Sequence, residues 1–162
     1  MLLNLKSFYK PSIPVIEEKP FWQQKKLSEM SIDEWDSLCD GCAKCCLHKL
    51  EDEDGGEVSY TNVACSQLDI VSCRCKNFVE RTILVPDCVE LTKDNLSTLK
   101  WLPPTCAYRL LNEGKDLYWW HPLISGDPNT VHSEGMSVKG RIVEEKEAHD
   151  LEDFIVAWPD EG

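Results

Sequence analysis

The sequence predicts a small single domain of the α+β class, with several short helices and a few short strands around a cysteine-rich loop and much irregular structure. Three observations support this prediction. The length of 162 residues suits one domain. Nine cysteines, clustered first at 39–46, can tie the chain down at several points. The apolar fraction of 42 % counts those cysteines and six tryptophans, so aliphatic packing is thin.

The first elements follow from proline and capping signals. Residues 1–19 are predicted to form an extended arm, because prolines recur there, and residues 20–162 form the cysteine-cluster domain. Pro20 suits the first turn of a helix that continues through Leu27. The run Ser31-Ile-Asp-Glu34 has the pattern of a capping box. A second helix should therefore begin there and end at the first cysteine.

Further elements are predicted from periodicity and turn residues. Alternation in 57–63 indicates a strand, and Gly55-Gly56 before it favours a hairpin. Apolar residues at i, i+3, i+4 and i+7 indicate a last helix with Leu151 and Trp158 at the ends of its stripe, ended by Pro159. The remaining predictions are a strand at Thr82–Val85, a helix at Thr92–Trp101, a helix at Pro104–Leu111 stopped at Gly114, and a strand at Val138–Val143.

Charge excludes one class of partner. The chain has 17 basic and 29 acidic residues, a net charge of −12, which repels phosphate backbones, so no nucleic acid is expected. No window approaches the ~20 apolar residues of a membrane span, and the first residues lack a secretory stretch, so neither a membrane partner nor export is expected. We expect a cytoplasmic location, where thiols stay reduced and cysteines bind metals more often than they form disulfides.

The spacing Cys39-x-x-Cys42-x-x-Cys45-Cys46 indicates a metal ligand loop. Two cysteines separated by two residues can direct both sulfurs at one centre, and here that spacing is used twice in succession. Three ligands can thus come from one loop and the fourth from elsewhere. Cys46 is awkward as a corner of the same tetrahedron as Cys45, so one of the pair is a candidate for a second site. The predicted domain is therefore built around a metal-binding loop.

The metal itself is left open by the spacing. Thiolate-rich sites suit zinc and iron–sulfur clusters alike. The first three cysteines match the start of a bacterial ferredoxin motif, but the fourth cysteine followed by proline is missing. Cys73-x-Cys75 can present two sulfurs on one side of an extended segment. The isolated cysteines are Cys65, Cys88 and Cys106, and eight of the nine would fill two sites of four thiolates.

Two histidines lie near these motifs. His48 follows the cysteine doublet and is a candidate ligand or hydrogen-bond donor to one, although solvent exposure is the commoner role. His121 follows two tryptophans, and packing among aromatic side chains is favoured over a ligand or proton-shuttle role. The tryptophans themselves are expected in the core.

The chain resembles a known bacterial family. The matching motifs include Cys39-Asp-Gly-Cys42-Ala-Lys-Cys45-Cys46, Leu102-Pro-Pro-Thr-Cys106 and Trp120-His-Pro-Leu-Ile-Ser-Gly-Asp127. They are similar to the YcgN-type cysteine-cluster family, which is grouped with proteins sharing a zinc- or iron-chelating Cys-x-x-Cys-x-x-Cys-Cys domain, and the resemblance covers about 20–158. It implies metal chelation, with the characteristic cysteines at Cys39, Cys42, Cys45, Cys46, Cys65, Cys73, Cys75, Cys88 and Cys106.

Three functions compete at this point. The first is a metal-binding protein in which zinc or iron organises the fold, with the metal ion as its only predicted partner. The second is an iron–sulfur redox protein or oxidoreductase. The third is a thiol-redox enzyme that uses one Cys-x-x-Cys pair as a dithiol. The first is favoured, because the motif supplies ligands and nothing beside it indicates turnover.

Overall fold

A computed structural model describes residues 18–53 and 56–159. The predicted N-terminal arm lies outside the described residues up to residue 17, as does Gly55 of the predicted turn. The helices are α1 (Phe21–Gln24), α2 (Ile32–Ser37), α3 (Arg81–Leu84), α4 (Ala107–Asn112), α5 (Pro122–Ser125) and α6 (Thr130–Ser133). The strands are β1 (Leu47–Glu51), β2 (Val58–Ala64), β3 (Leu68–Asp69), β4 (Arg74–Cys75) and β5 (Val143–Glu144). Four short 3-10 helices lie at Leu27–Glu29, Lys44–Cys46, Glu145–Glu147 and Leu151–Phe154.

These elements confirm the small α+β class with much irregular structure. One sheet has the order β1-β2-β5, in which β1 and β2 are antiparallel and β5 is parallel to β2. A second sheet pairs β3 with β4. No helix in 18–53 or 56–159 is long and apolar enough to cross a membrane.

The hydrophobic side chains form three small clusters around the cysteine loop. One lies under α2 and α4 and contains Leu38, Leu102 and Tyr108. Another lies under the β1–β2 hairpin and contains Cys73. The third includes Cys42 and Trp120. Trp120 is buried as the composition predicts, but Trp119 is 57 % exposed, so the tryptophans are not uniformly core residues.

Several sequence predictions are confirmed. The Ser31 hydroxyl accepts the N–H of Glu34, whose carboxylate accepts the N–H of Ser31, which is the predicted capping box. The hairpin of β1 and β2 is present, and α4 ends just before Gly114 in the left-handed region at φ 72°.

Other predictions are wrong. The segment predicted as a strand at Thr82–Val85 is mostly the helical turn α3, because Ile83 is 79 % exposed and has no sheet to enter. The predicted helix at Thr92–Trp101 is a series of turns. There the Asn95 side chain accepts the N–H of Thr92 and donates to the carbonyl of Glu90, so it competes with helical hydrogen bonds.

The C-terminal predictions also change. The predicted strand at Val138–Val143 is reduced to β5, because Gly140 adopts φ 73° within it. The predicted last helix is a 3-10 turn at Leu151–Phe154 followed by extended chain. Val156 then donates its N–H to Tyr60 on β2 at 2.9 Å. Pairing with the sheet therefore replaces the helix.

Candidate metal centre

The cysteine loop begins where α2 ends and is shaped by left-handed residues. Gly41 has φ 78° and Ala43 has φ 60°. A side chain on Gly41 would place its Cβ 2.9 Å from Nη2 of Arg74, so the guanidinium packs directly on this glycine. Val138 donates its N–H to the carbonyl of Cys42 at 2.9 Å. The loop is thus held between β4 on one side and Val138 on another.

The loop cysteines differ in their environments. Cys39 and Cys45 are exposed, while Cys42 is buried. Burial, with smaller contributions from Cys45 and Asp40, raises the pKa of Cys39 to about 11. Burial is also the main cause that raises the pKa of Cys42. Cys39 is thus accessible as a residue although protein surrounds most of its thiol. Such a position is typical of the wall of a concave loop.

Cys45 is the thiol most readily ionised among those whose shift is resolved. Its Sγ lies 3.8 Å from Sγ of Cys46. The hydrogen bond from Cys46, helped by the charge of Lys49, lowers the pKa of Cys45 to about 7 against the opposing effect of burial. The same pairing raises the pKa of Cys46. Cys45 is therefore the first candidate in the loop to bind a metal as a thiolate.

Asp40 is a site residue that the sequence analysis missed. Its side chain is 5 % exposed, and Oδ1 accepts the N–H of Cys42 at 2.9 Å. Oδ2 is buried and has no hydrogen-bond partner among the described residues. A buried carboxylate oxygen beside several thiols is costly unless a cation or hydrogen-bond donor satisfies it. The charged residue inside the first Cys-x-x-Cys pair was the available signal.

Two lysines next to the cysteines were also missed. Lys49 donates to the carbonyl oxygens of Cys45 at 2.9 Å and Leu47 at 2.7 Å, and its ammonium lies 4.8 Å from the ring centroid of Trp101. Burial lowers the pKa of Lys49, and Cys45 and Cys46 oppose that shift. Lys44 is 1 % exposed and donates to Thr105 and to the carbonyl of Pro159. The ammonium of Lys49 offsets thiolate charge.

Two distant cysteines are brought to the loop by different elements. Cys106 caps the start of α4, next to Thr105, which contacts Lys44. Burial first, and then Cys45 and Asp40, raise the pKa of Cys106 to about 12. Cys65 follows β2 and donates its N–H to the carbonyl of Cys46 at 2.9 Å.

The last three cysteines lie further along the chain. Cys75 ends β4 and pairs with Leu68, three residues after Cys65. Cys88 is partly buried, and its pKa is raised by burial, lowered by Arg81, and raised again by the charges of Cys65 and Cys75. Cys73 has φ 56°, so it does not continue the extended backbone of Cys75 as the two-residue period predicts. It packs in the hydrophobic cluster under the hairpin.

The donor set fits a soft metal, although the side chains are not yet gathered around one point. Within 18–53 and 56–159, no three cysteine, histidine or carboxylate side chains lie close enough to hold one ion. Binding would therefore draw the thiols toward a common centre. Thiolates suit zinc and iron, and the unpartnered oxygen of Asp40 lies in the same region.

The two histidines considered in the sequence lie in different settings. His48 Nε2 is 3.4 Å from Oε1 of Glu145, so a carboxylate is its nearest charged neighbour. His121 is 1 % exposed and hydrogen bonds the backbone of Leu38 and Leu123. His121 is therefore buried, and its two ring nitrogens bond backbone groups.

The comparisons with known proteins agree with this composition of the site. Residues 38–107 match the model of a family described as "Putative zinc- or iron-chelating domain", with the signature CxxCxxCC. No solved structure matches the chain.

Curated relatives cover most of the chain. A UPF0260 protein of Rhizobium johnstonii is 56 % identical over 89 % of this chain and 92 % of its own length. One of Rhodopseudomonas palustris is 60 % identical over 86 % of this chain and 84 % of its own length. One of Granulibacter bethesdensis is 56 % identical over 88 % of this chain and 86 % of its own length. Residues 38–107 match the CxxCxxCC model, and the chain belongs to the UPF0260 family.

Proposed function

We propose that this protein is a metal chelator in which zinc or iron, held by cysteine thiolates, organises the fold. The observation that carries the proposal is the loop of Cys39, Cys42 and Cys45, to which Cys106 and Cys65 are brought by other elements. Burial raises the pKa of several of these thiols, so most are protonated at neutral pH without a cation. A bound metal would exchange those protons for its own charge.

The residues around the loop have distinct parts in this proposal. Cys45, with its pKa of about 7, supplies the first thiolate. The Lys49 ammonium stabilises that thiolate, because its hydrogen bond of 2.9 Å to the carbonyl of Cys45 holds it close by. Asp40 holds the turn through the N–H of Cys42 and directs a free carboxylate oxygen into the same buried region. A metal there would tie α2, the hairpin and α4 together.

An iron–sulfur redox protein is the second candidate, favoured by the aromatic surroundings. Burial raises the pKa of Tyr60, the charge of Arg109 opposes that shift, and the charges of Cys106 and Cys45 add to it. Burial and then Cys39 and Cys106 raise the pKa of Tyr108. The charges of Cys45 and Cys106 act on both tyrosines, and such rings would shield a cluster from water. Three ligands from one loop and one from a distance is a common arrangement for these clusters.

Elemental analysis tests both candidates. The untagged protein is purified without oxygen, and zinc, iron and acid-labile sulfide are measured per chain together with the visible spectrum. Near-integer zinc in a colourless protein supports the structural chelator. Iron with sulfide and broad visible absorption supports the redox candidate. A lack of metal while all cysteines are reduced would overturn both.

The nine free thiols suit a reducing compartment, so a cytoplasmic location belongs to the same proposal.

A further inference from the structure

Eight of the cysteines divide into two groups according to the backbone elements and hydrogen bonds that place them. The loop group consists of Cys39, Cys42, Cys45 and Cys106. The hairpin group consists of Cys46, Cys65, Cys75 and Cys88. Cys73 belongs to neither. We propose that the protein holds two adjacent metal centres, one in each group, an inference that rests on the proposed function. Cys73 is then a core residue without a metal.

The loop group lies on the cysteine loop and at the start of α4. Cys39, Cys42 and Cys45 occupy one loop, and Thr105 brings Cys106 against it through Lys44, whose Nζ lies 3.4 Å from Oγ1 of Thr105. The Tyr108 hydroxyl donates to the carbonyl of Trp35 at 2.9 Å, which fixes α4 against α2. The electrostatic neighbours agree, because the pKa of Cys42, raised chiefly by burial, also responds to Cys45 and Cys106. Four thiolates from this group complete one tetrahedral site.

The hairpin group starts from the backbone pairing of Cys46 with Cys65. This bond of 2.9 Å continues the β1–β2 ladder beyond Leu47 and Ala64. Cys75 returns to the same end of the molecule, because β4 pairs with β3 and the N–H of Lys76 donates to the carbonyl of Gln67 at 2.8 Å. The packing of Arg74 on Gly41 holds this small sheet against the cysteine loop. These backbone pairings place Cys46, Cys65 and Cys75 at the same end of the molecule, where metal binding would draw their thiols together.

Cys88 completes the hairpin group. It follows α3, and its N–H donates to the carbonyl of Val85 in a tight turn. Cys65 and Cys75 are the first two cysteines among the charges that act on it, after burial and Arg81. Cys88 is therefore the candidate fourth ligand of the hairpin group.

The contact between Cys45 and Cys46 decides whether there are two centres or one. Their sulfurs are 3.8 Å apart, a separation that a single tetrahedral site also allows. Their other neighbours differ, however: Cys46 is bonded through its backbone to Cys65, whereas Cys45 shares its loop with Cys39 and Cys42. The two centres would therefore lie side by side, with the doublet between them.

Cys73 provides a matched control two residues from Cys75. It is 3 % exposed in the hydrophobic cluster of Leu47, Ala64 and Val138. Burial raises the pKa of Cys73, and the charges that also act on it are those of Lys139, Arg74 and Asp69. No cysteine is among them. Replacing Cys73 should leave the metal content unchanged, whereas replacing Cys75 should lower it.

Zinc reconstitution of the full chain tests the inference. The reduced metal-free protein is loaded with zinc alone, desalted and analysed. The wild type and Cys73→Ala should hold about two zinc ions per chain, and Cys42→Ser and Cys75→Ser about one each. A wild-type ratio of about one that Cys75→Ser leaves unchanged would overturn the two-centre inference but not the proposed function. A wild type that holds no zinc and no iron would overturn the proposed function itself.

A measurement on the wild type alone avoids the risk that a variant fails to fold. The chain is loaded with isotopically enriched cadmium, a spectroscopic substitute for zinc, and its nuclear resonance is recorded. We expect two cadmium signals in the range of all-thiolate sites, with coupling restricted to separate sets of cysteines. A single signal coupled to both Cys45 and Cys46 would contradict the division into two centres.

Discussion

Nε2 of His121 lies 3.1 Å from the carbonyl oxygen of Leu38, the residue before the first cysteine. Because a carbonyl only accepts, the proton is on Nε2. Nδ1 accepts the N–H of Leu123 at 3.1 Å. The neutral imidazole thus satisfies both partners, whereas a second proton would face a donor. This buried histidine ties α5 to the start of the cysteine loop.

Protonation of His121 should destabilise the fold. Burial lowers the pKa of His121 below its usual 6.5. The unfolded chain therefore binds this proton at a higher pH than the folded chain, and the contribution to stability is complete above about pH 6.5 and declines below it. His121→Gln should lower the free energy of unfolding by about 1–3 kcal/mol near neutral pH. Urea unfolding should show a smaller gap between wild type and variant in mild acid; an unchanged gap would contradict this.

Gly41→Ala should destabilise the loop through its backbone. A residue with a side chain at φ 78° costs about 1–2 kcal/mol, and the new Cβ would meet the flexible end of Arg74. The matched control is Gly56→Ala, which has open space around it. Thermal unfolding of the metal-loaded proteins should show a lower midpoint for Gly41→Ala alone. Equal midpoints for the two variants would show that the turn tolerates a side chain.

Lys49→Met should make Cys45 harder to ionise. The hydrogen bond from Cys46 is the main cause that lowers the pKa of Cys45, and burial opposes it. The charge of Lys49 is the next cause and also lowers this pKa. In reduced metal-free protein, the pH midpoint for alkylation of Cys45 should rise above about 7. Lys115→Met, which removes a lysine paired with Glu113, is the control and should leave the midpoint unchanged. A variant midpoint equal to the wild type would exclude this role for Lys49.

Removal of the metal should loosen the cysteine loop before the hairpin. Without a cation, the Cys45 thiolate and the Asp40 carboxylate repel each other in a poorly solvated region. Hydrogen exchange at the amide of Val138, which donates to Cys42, should accelerate by about tenfold or more on chelation, which corresponds to about 1.4 kcal/mol. Amides in the β1–β2 ladder should change less. Unchanged exchange at Val138 would show that the loop is rigid without metal.

Local signals in the sequence predicted the elements that depend on local contacts. The capping box of Ser31 and Glu34 and the hairpin of β1 and β2 are set by hydrogen bonds between near neighbours. The failures lie where distant contacts prevail. Ile83 is apolar and β-branched but has no strand partner among the described residues. Val156 leaves a helical pattern to bond Tyr60 on β2. Propensity could not anticipate either outcome.

The candidate site shows the same division. The spacing of Cys39, Cys42 and Cys45 made them visible as ligands. The buried states of Asp40 and Lys44 were not visible, because charged residues are usually exposed. The burial of Lys44 also involves a contact with the distant Pro159. The different environments of Cys73 and Cys75 depend on one left-handed residue, which spacing alone does not indicate.

Native mass spectrometry of untagged protein, purified without oxygen, tests metal chelation most directly. We expect a mass above that of the chain by an integral number of metal ions, with or without sulfide, which falls to the chain mass after chelation. Thiol titration should then show more reactive cysteines than before. A protein that has the bare chain mass from metal-replete cells, with all nine cysteines reduced, would contradict metal binding by this cysteine cluster.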